Sequence, residues 1–579
     1  MRRHGQSALR QTGFSAGPFP LCPCGLYRCS AGSAIDRERA AEFICKGLQS
    51  PAVFALNGCV KDSRSSTVPI PENTITRRRF LNTASAGALA LSLEQGQAAK
   101  LLKGQKQPNI LWIMSDEHNP HIAGCYGNRL IRTPNIDSLA QSGIVFDGHY
   151  CNSPLCVPSR LSLTAGKYAS RVDVWGLTSW LPSADIASLP RVLNAAGYRS
   201  YLCGKQHYDY TRRYGFTEVG GNFNNWYKTG LGERLPPTHL TQARLSPRFN
   251  NFHPGDHSGV LDHDRKVTAG AVEFLSRRQW DNDKPFFLFV GYLAPHFPLI
   301  VPQEYWERYR GKVDMPVIPD GFLDTLPLNY KVQRAGFEEI GVPDDTVRRG
   351  RELYYGLTDW ADTQIGKVLA ALRMHPEVAE NTVIIYSSDH GENMGEHGMW
   401  WKNCMFEQSS RVPLVISWPE RWRGGQRRQG ASSHMDLVQT VADIAGARTP
   451  GDWNGASMLH WMDHGSARWK DYAVSEYYAH NTASGYVMVR SGDWKYVYHT
   501  IIDKDHPAER ELYNLAADPG EFTNLAALPE HRQRIEAMHR LMVREVEGDP
   551  DETEQRSRYQ LSRGYRRTDP RPQGSGDMA

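Results

Sequence analysis

The chain has 579 residues, a formal net charge of +4, 40% hydrophobic and 22% charged residues. That balance reads as an ordinary globular enzyme with chain enough for a large core. The charge is too weak to imply a nucleic-acid partner. Length suggests two or more domains. Of ten cysteines, five (Cys22, Cys24, Cys29, Cys45, Cys59) fall in the first seventy residues. The others (Cys125, Cys151, Cys156, Cys203, Cys404) are scattered and odd in number, so they are no disulfide framework. Cys22-Pro23-Cys24 lacks a second pair at zinc spacing and receives no metal.

In chain order, Thr76-Arg77-Arg78-Arg79-Phe80-Leu81 precedes a small apolar run, Ala84 to Leu93. Charge, a short apolar core and small residues make an export signal over residues 71–99, with cleavage between Ala90 and Ala99. The paired arginines before Phe-Leu resemble the twin-arginine type, which implies a periplasmic or extracellular protein. The run is too short for a permanent membrane span. A signal at this position makes residues 1–70 an extension from a misplaced start, or a disordered one.

Asn109 to Met114 is an apolar run ending in Ser115-Asp116-Glu117, which predicts a strand buried on both faces with acids at its C-terminal end. Ligands bind at that end of open α/β sheets. Adjacent acids there repel unless a cation such as Mg²⁺ or Ca²⁺ sits between them, or unless the turn is solvated. Thr133 to Gly143 predicts a short helix and Ile144-Val145-Phe146 a strand. Cys156-Val157-Pro158-Ser159-Arg160 follows. Pro158 fixes φ, so Cys156 is expected at a bend opening a helix, whose N-terminus and Arg160 would face an anion. The alternative is a small buried cysteine at a helix start.

A helix from Ser188 and a strand from Tyr198 lead to Gly204-Lys205-Gln206-His207. Lys205 and His207 would share a side in extended chain. Residues 211–262 are irregular and predict a loop that shapes the pocket. Phe286 to Val290 is a core strand, followed by His296 between Pro295 and Pro298, a placement that suits a proton donor or anion ligand. Leu353 to Leu372 repeats at helical spacing and covers the sheet with no chemistry of its own. Thr382 to Tyr386 predicts a strand ending in Ser388-Asp389-His390-Gly391, then Gly395-Glu396-His397-Gly398 and Lys402. Two acidic strand ends, far apart in sequence, can meet at one sheet edge and hold a metal. Val412 to Trp418 is a strand and Met435 to Ala445 a helix. A boundary near Thr449 to Asp452 separates a catalytic domain, 107–448, from an antiparallel α+β unit, 449–546. Residues 547–579 are polar and basic, and read as a mobile tail.

The string Cys156-x-Pro158-x-Arg160, with Gly166 beyond it, resembles the signature of type I sulfatases of the alkaline phosphatase superfamily. The resemblance extends over about 440 residues. It takes in Pro108 to Leu111, Gly124 to Asn128, Thr133 to Ala140, Lys205-x-His207, Pro295-His296-x-Pro298, Ser388 to Gly391, Gly395 to Gly398 and Glu511 to Leu515. It implies an α/β fold: a large mixed, mostly parallel sheet flanked by helices, with a smaller C-terminal antiparallel domain. It implies hydrolysis of a sulfate monoester (carbohydrate, aryl or choline sulfate) by a Cα-formylglycine made from Cys156 by a formylglycine-generating enzyme. By the same resemblance Asp116, Glu117, Asp389 and His390 would hold one divalent ion, usually Ca²⁺, with Mg²⁺ and Mn²⁺ as alternatives. Arg160 would neutralise the aldehyde hydrate, Lys205 would bridge hydrate and sulfate, and His207 would orient the hydrate. His296 and Lys402 would grip sulfate oxygens near the leaving group. Glu117 departs from the family, which has Asp or Gln there. The rival enzyme reading is a phosphonate or phosphate ester hydrolase on the same core. A non-catalytic anion-binding relative is the third reading. With Cys156 converted, the remaining four cysteines of the enzyme portion form two pairs or stay thiols.

Overall fold

The apolar runs read from the sequence are the central strands of one sheet. A computed structural model describes residues 107–209, 211–224 and 234–562. The expected export signal and the segment 1–70 lie outside the described residues. Among the described residues, no helix is long and apolar enough to cross a membrane. The main sheet contains β1 (Asn109–Asp116), β2 (Ile144–Tyr150), β3 (Arg199–Gly204), β4 (Thr217–Glu218), β5 (Phe286–Pro295), β6 (Thr382–Ser388), β7 (Leu414–Ser417) and β8 (Gln426–Ser433). Their order is β8-β2-β7-β6-β1-β5-β3-β4. Only β7 runs antiparallel to its neighbours. The fold class is the one expected, a mostly parallel mixed sheet.

Alternation explains why β1 is apolar throughout. Ile110, Trp112 and Met114 enter the core on one face, Leu111 and Ile113 the core on the other. Phe287 and Phe289 of β5 join the first core, and Phe286, Leu288 and Val290 the second. Helices cover both faces. α1 (Cys156–Ala165) and α4 (His434–Ile444) pack on the first face; α2 (Gly259–Ser276) and α3 (Asp344–Arg373) pack on the second. Each such buried Leu, Val or Phe contributes about 1.5–3 kcal/mol of transfer free energy, so the strands are held in register from both sides.

Register brings the site together. Ser115 lies opposite Ser388 on β6 and Asp116 opposite Pro295 on β5. Gly204 lies opposite Gly291, and the Lys205 amide donates to the Gly291 carbonyl at 2.8 Å. A Cβ at Gly291 would collide with the Lys205 carbonyl, so a glycine is required for this approach. Four strand ends thus converge at one edge.

A second sheet is antiparallel: β9 (Tyr472–Tyr477), β10 (Tyr486–Ser491), β11 (Trp494–His499) and β12 (Glu509–Asn514), in that order. α5 (Arg532–Val546) packs on it through Met538, Met542 and Val546. Lys495 of β11, fully buried, meets Glu407 at 2.7 Å, Glu521 at 2.6 Å and the Met405 carbonyl at 2.8 Å. The small sheet therefore anchors the segment that carries Lys402. All of the described residues belong to one compact unit.

As far as Ser562 the C-terminal stretch is not a mobile tail, and residues 563–579 lie outside the described residues. Pro550–Ser562 is a helix, α6, with Pro550, Thr553, Glu554 and Ser557 buried. Asp549 accepts from the amides of Asp551 (2.9 Å) and Glu552 (3.2 Å), capping its start. Buried Glu554 accepts from the Gly485 amide at 2.9 Å and from Arg558 and Arg234. A polar composition concealed these tertiary partners. Cys125, Cys151, Cys203 and Cys404 form no disulfide.

Candidate active site

Asp116 closes β1 and Asp389 stands just past the end of β6, both fully buried. Cys156 is the first residue of α1, which Gly166 closes in the left-handed conformation at φ 66°. One ligand atom from each of Asp116, Cys156, Asp389 and His390 lies within 4.8 Å of the others. Arg160, one turn into α1, donates from Nε to Asp389 Oδ2 at 2.7 Å and from Nη1 to the Lys205 carbonyl at 2.9 Å. Its Nη2 is 3.6 Å from Asp116 Oδ2, which also pairs with Lys205 Nζ. Burial alone would raise the Asp389 carboxyl, but the cations Arg160 and Lys205 hold it well below the usual carboxylate range.

His390 shows what this cluster is built for. Its Nδ1 is 3.0 Å from the Gly391 carbonyl, which places the ring proton there. Nε2 then turns its lone pair toward Asp116 Oδ1 at 3.6 Å and Asp389 Oδ1 at 3.7 Å. Burial pushes the imidazole down to about 3, so it is neutral. Two carboxylates and a lone pair facing one another repel; a hard divalent cation among them would turn that repulsion into ligation. The donor set therefore fits a divalent metal.

Glu117 faces a different way. Its backbone is left-handed, with φ 68°. Its amide donates to Asp389 Oδ1 at 3.2 Å, and its carbonyl accepts from Tyr354 Oη at 2.5 Å. The side chain meets Lys402 Nζ at 3.0 Å and His296 Nε2 at 3.4 Å, grouping with Asp116 and His296 rather than with Asp389 and His390. Burial, with Glu392 adding to it, pushes Glu117 up to about 8 against the pull of Lys402. Lys402 Nζ also donates to His296 Nε2 at 2.8 Å, while His296 Nδ1 lies 2.5 Å from the Phe297 carbonyl. Burial opposes the charge on Lys402, but Cys156 and Glu117 outweigh it and keep the ammonium. Left-handed Trp401 (φ 65°) and Asn403 (φ 78°) flank Lys402, and Gln333 donates to the Asn403 carbonyl at 2.8 Å.

The structure thus brings together Asp116, Cys156, Arg160, Lys205, Asp389 and His390, with Glu117, His296 and Lys402 beside them. His207 is buried but left-handed at φ 58°, so the alternation of an extended strand does not govern its direction. β3 has already ended at Gly204. The reading of α3 as a helix without chemistry is also corrected, because its Tyr354 holds the Glu117 carbonyl. Sequence reasoning passed over Glu392, which accepts from the Trp401 amide at 2.7 Å and whose charge pushes Glu117 up. Its place two residues after His390 was the available signal.

A third acid, Glu339, accepts from the Trp400 amide at 3.0 Å and is pushed up to about 8, chiefly by burial. The folded protein keeps this proton between about pH 4.5 and 8, where the unfolded chain has lost it. Stability from this group therefore falls as pH rises through that window. Glu339→Gln keeps the acceptor and removes the charge. Urea unfolding should show the variant gaining on the order of 2–4 kcal/mol over the wild type above pH 8, and nothing below pH 4.5. An equal difference at both ends would refute the assignment.

The sulfatase family profile matches residues 108–447, over half of the chain. The chain belongs to the sulfatase family. A second profile, N-sulphoglucosamine sulphohydrolase, C-terminal, matches residues 395–547. The chain is 30% identical to the uncharacterized sulfatase YidJ of Escherichia coli (strain K12) over 435 residues, covering 72% of this chain and 83% of that one. It is 29% identical to the choline-sulfatase of Rhizobium meliloti (strain 1021), covering 73% and 83%. In fold it is similar to the phosphonate monoester hydrolase of Agrobacterium radiobacter, with a TM-score of 0.59, 22% identity and coverage of 76% and 95%. As a sulfatase, the chain is a sulfuric ester hydrolase.

Proposed function

We propose that this sulfatase cleaves a sulfate monoester with a Cα-formylglycine made from Cys156, beside a divalent cation, Ca²⁺. The observation that carries the reading is the buried cluster of Asp116, Cys156, Asp389 and His390 within 4.8 Å. Asp116, Asp389 and His390 would hold the cation, with residue 156; the pairing of Glu117 with Lys402 and His296 keeps it in a supporting place. When bound, the cation supplies positive charge for sulfate oxygens as their charge develops. Formylglycine at 156 supplies a hydrated aldehyde whose hydroxyl is the nucleophile for sulfur.

The rest falls to this chain's own side chains. Arg160 and Lys205, locked to Asp389 and Asp116, present fixed positive charge where the anion arrives. The N-terminus of α1 points at residue 156 and favours negative charge there. Lys402 holds a proton at Nζ and donates it to the lone pair of His296 Nε2, beside Glu117. That pair is placed to hydrogen-bond the leaving oxygen.

Two measurements test the proposal. Mass spectrometry of the native-host protein should find the aldehyde at residue 156. Paired aryl sulfate and aryl phosphodiester substrates should show faster sulfate turnover. Faster phosphodiester turnover would favour the second reading, to which the likeness to a phosphonate monoester hydrolase lends support.

A further inference from the structure

The segment between β4 and α2 places one more cation at this site. Arg248 lies on a short turn of helix, Pro247–Asn251, and is half-buried. Its neighbour Phe249 fixes the backbone, packing on Trp401 at 5.7 Å, Trp400 at 5.2 Å and Phe252 at 5.4 Å between ring centroids. The Ser246 amide ties the same turn to the Glu338 carbonyl at 3.0 Å. The guanidinium carbon lies 4.5 Å from the centre of the Phe297 ring, 5.4 Å from Trp401 and 5.8 Å from Phe337. Phe297 in turn stacks on His296 at 4.3 Å, and Lys402 Nζ is 5.3 Å from the same Phe297 ring. Arg248 and Lys402 therefore stand at most about 10 Å apart.

Among the described residues, the Arg248 guanidinium makes no hydrogen bond and no ion pair; its contacts are the faces of these rings. The acids whose fields reach it are Glu117, Glu339 and Glu392. Each is committed elsewhere: Glu117 to Lys402 and His296, Glu339 to the Trp400 amide, Glu392 to the Met394 and Trp401 amides. A rigidly mounted arginine with its donors unspent is a preorganised oxyanion receptor.

We infer that Arg248 is a specificity residue that binds a second oxyanion, a carboxylate or a further sulfate, on the leaving group of the substrate. This rests on the sulfatase reading above. One sugar or aryl ring with a substituent on either side spans the gap between the two cations. The substrate class is therefore a sulfate ester that carries another acidic group, and its neutral congener is the poorer substrate.

The test compares, on the matured enzyme, a neutral sugar sulfate with congeners bearing a carboxylate or a second sulfate. Wild-type kcat/KM should favour an acidic congener, and the congener favoured tells carboxylate from sulfate. Arg248→Ala should reduce that preference about 10- to 100-fold, the range of a charge-assisted hydrogen bond. Arg248→Met, which keeps apolar bulk against the rings, should reduce it equally, and Arg248→Lys should restore part of it. Calorimetric binding of the same compounds gives a readout independent of turnover and should show the same loss of preference. An equal loss on neutral and acidic compounds, or none, would make Arg248 a structural clamp and overturn the inference. Failure of the wild type to cleave any sulfate would instead sink the sulfatase mechanism, leaving binding to decide on Arg248.

Discussion

Cys156→Ala should abolish hydrolysis of every sulfate ester the enzyme accepts, with kcat falling about ten-thousand-fold or more. The residue is 2% exposed and opens α1, where alanine is as good a helix former as any. Its loss removes one small buried group and should cost about 1 kcal/mol or less, so the melting temperature moves little. Among the described residues, no other thiol can stand in. Burial pushes Cys125, Cys203 and Cys404 up to about 12 and raises Cys151 further, which leaves them protonated and inert. None of the four shares the cluster with Asp116 and Asp389. Substantial residual turnover in the alanine variant would mean that sulfur is attacked by something other than residue 156, and the proposed mechanism would fall.

The cluster was legible because its carriers are simple. β1 and β6 are apolar runs that must be buried on both faces; β1 ends in Asp116, and Asp389 follows directly on β6. A parallel sheet has one edge for such ends, so Asp116 and Asp389 could meet there, and the pairing of β1 with β6 brings them together. Pro158 and Gly166 bracket α1 just as plainly. What pattern could not supply was direction. Spacing places Glu117 beside Asp116, yet its left-handed backbone turns it to Lys402 and His296. Tyr354 looked like one more residue of a covering helix, and its hydroxyl reaches the Glu117 carbonyl across 237 positions. Arg248 lies in a stretch with no period, and only the folded rings around it give it meaning. The departure at α6 has the same origin: a polar, basic composition predicts a mobile tail, and the distant partners Arg234 and Gly485 of Glu554 exist only in the fold.

Asp389→Asn should be nearly as damaging, for an electrostatic reason. The buried set of Asp116, Asp389, Arg160 and Lys205 balances in charge, and His390 beside it is neutral. Asp389 uses both oxygens: Oδ2 accepts from Arg160 Nε, and Oδ1 from the amides of Glu117 (3.2 Å) and His390 (3.0 Å). An asparagine amide has one acceptor. Either its NH₂ opposes Arg160 Nε–H, or, flipped, it opposes the two backbone N–H groups. The buried guanidinium then loses its strongest partner, a change of about 3–5 kcal/mol in stability. Because Arg160 and its neighbours hold the Asp389 carboxyl below its ordinary 3.8, the wild type keeps this contribution above that pH and loses it on acidification below it. The variant should lack that acid-linked loss. Its divalent-cation content, read by elemental analysis, should fall to a small fraction, and kcat should drop about a thousandfold as ligand and fixed charge go together. A variant that retains both its metal and its turnover would place the cation elsewhere, and the pairing of the β1 and β6 ends would then be structural alone.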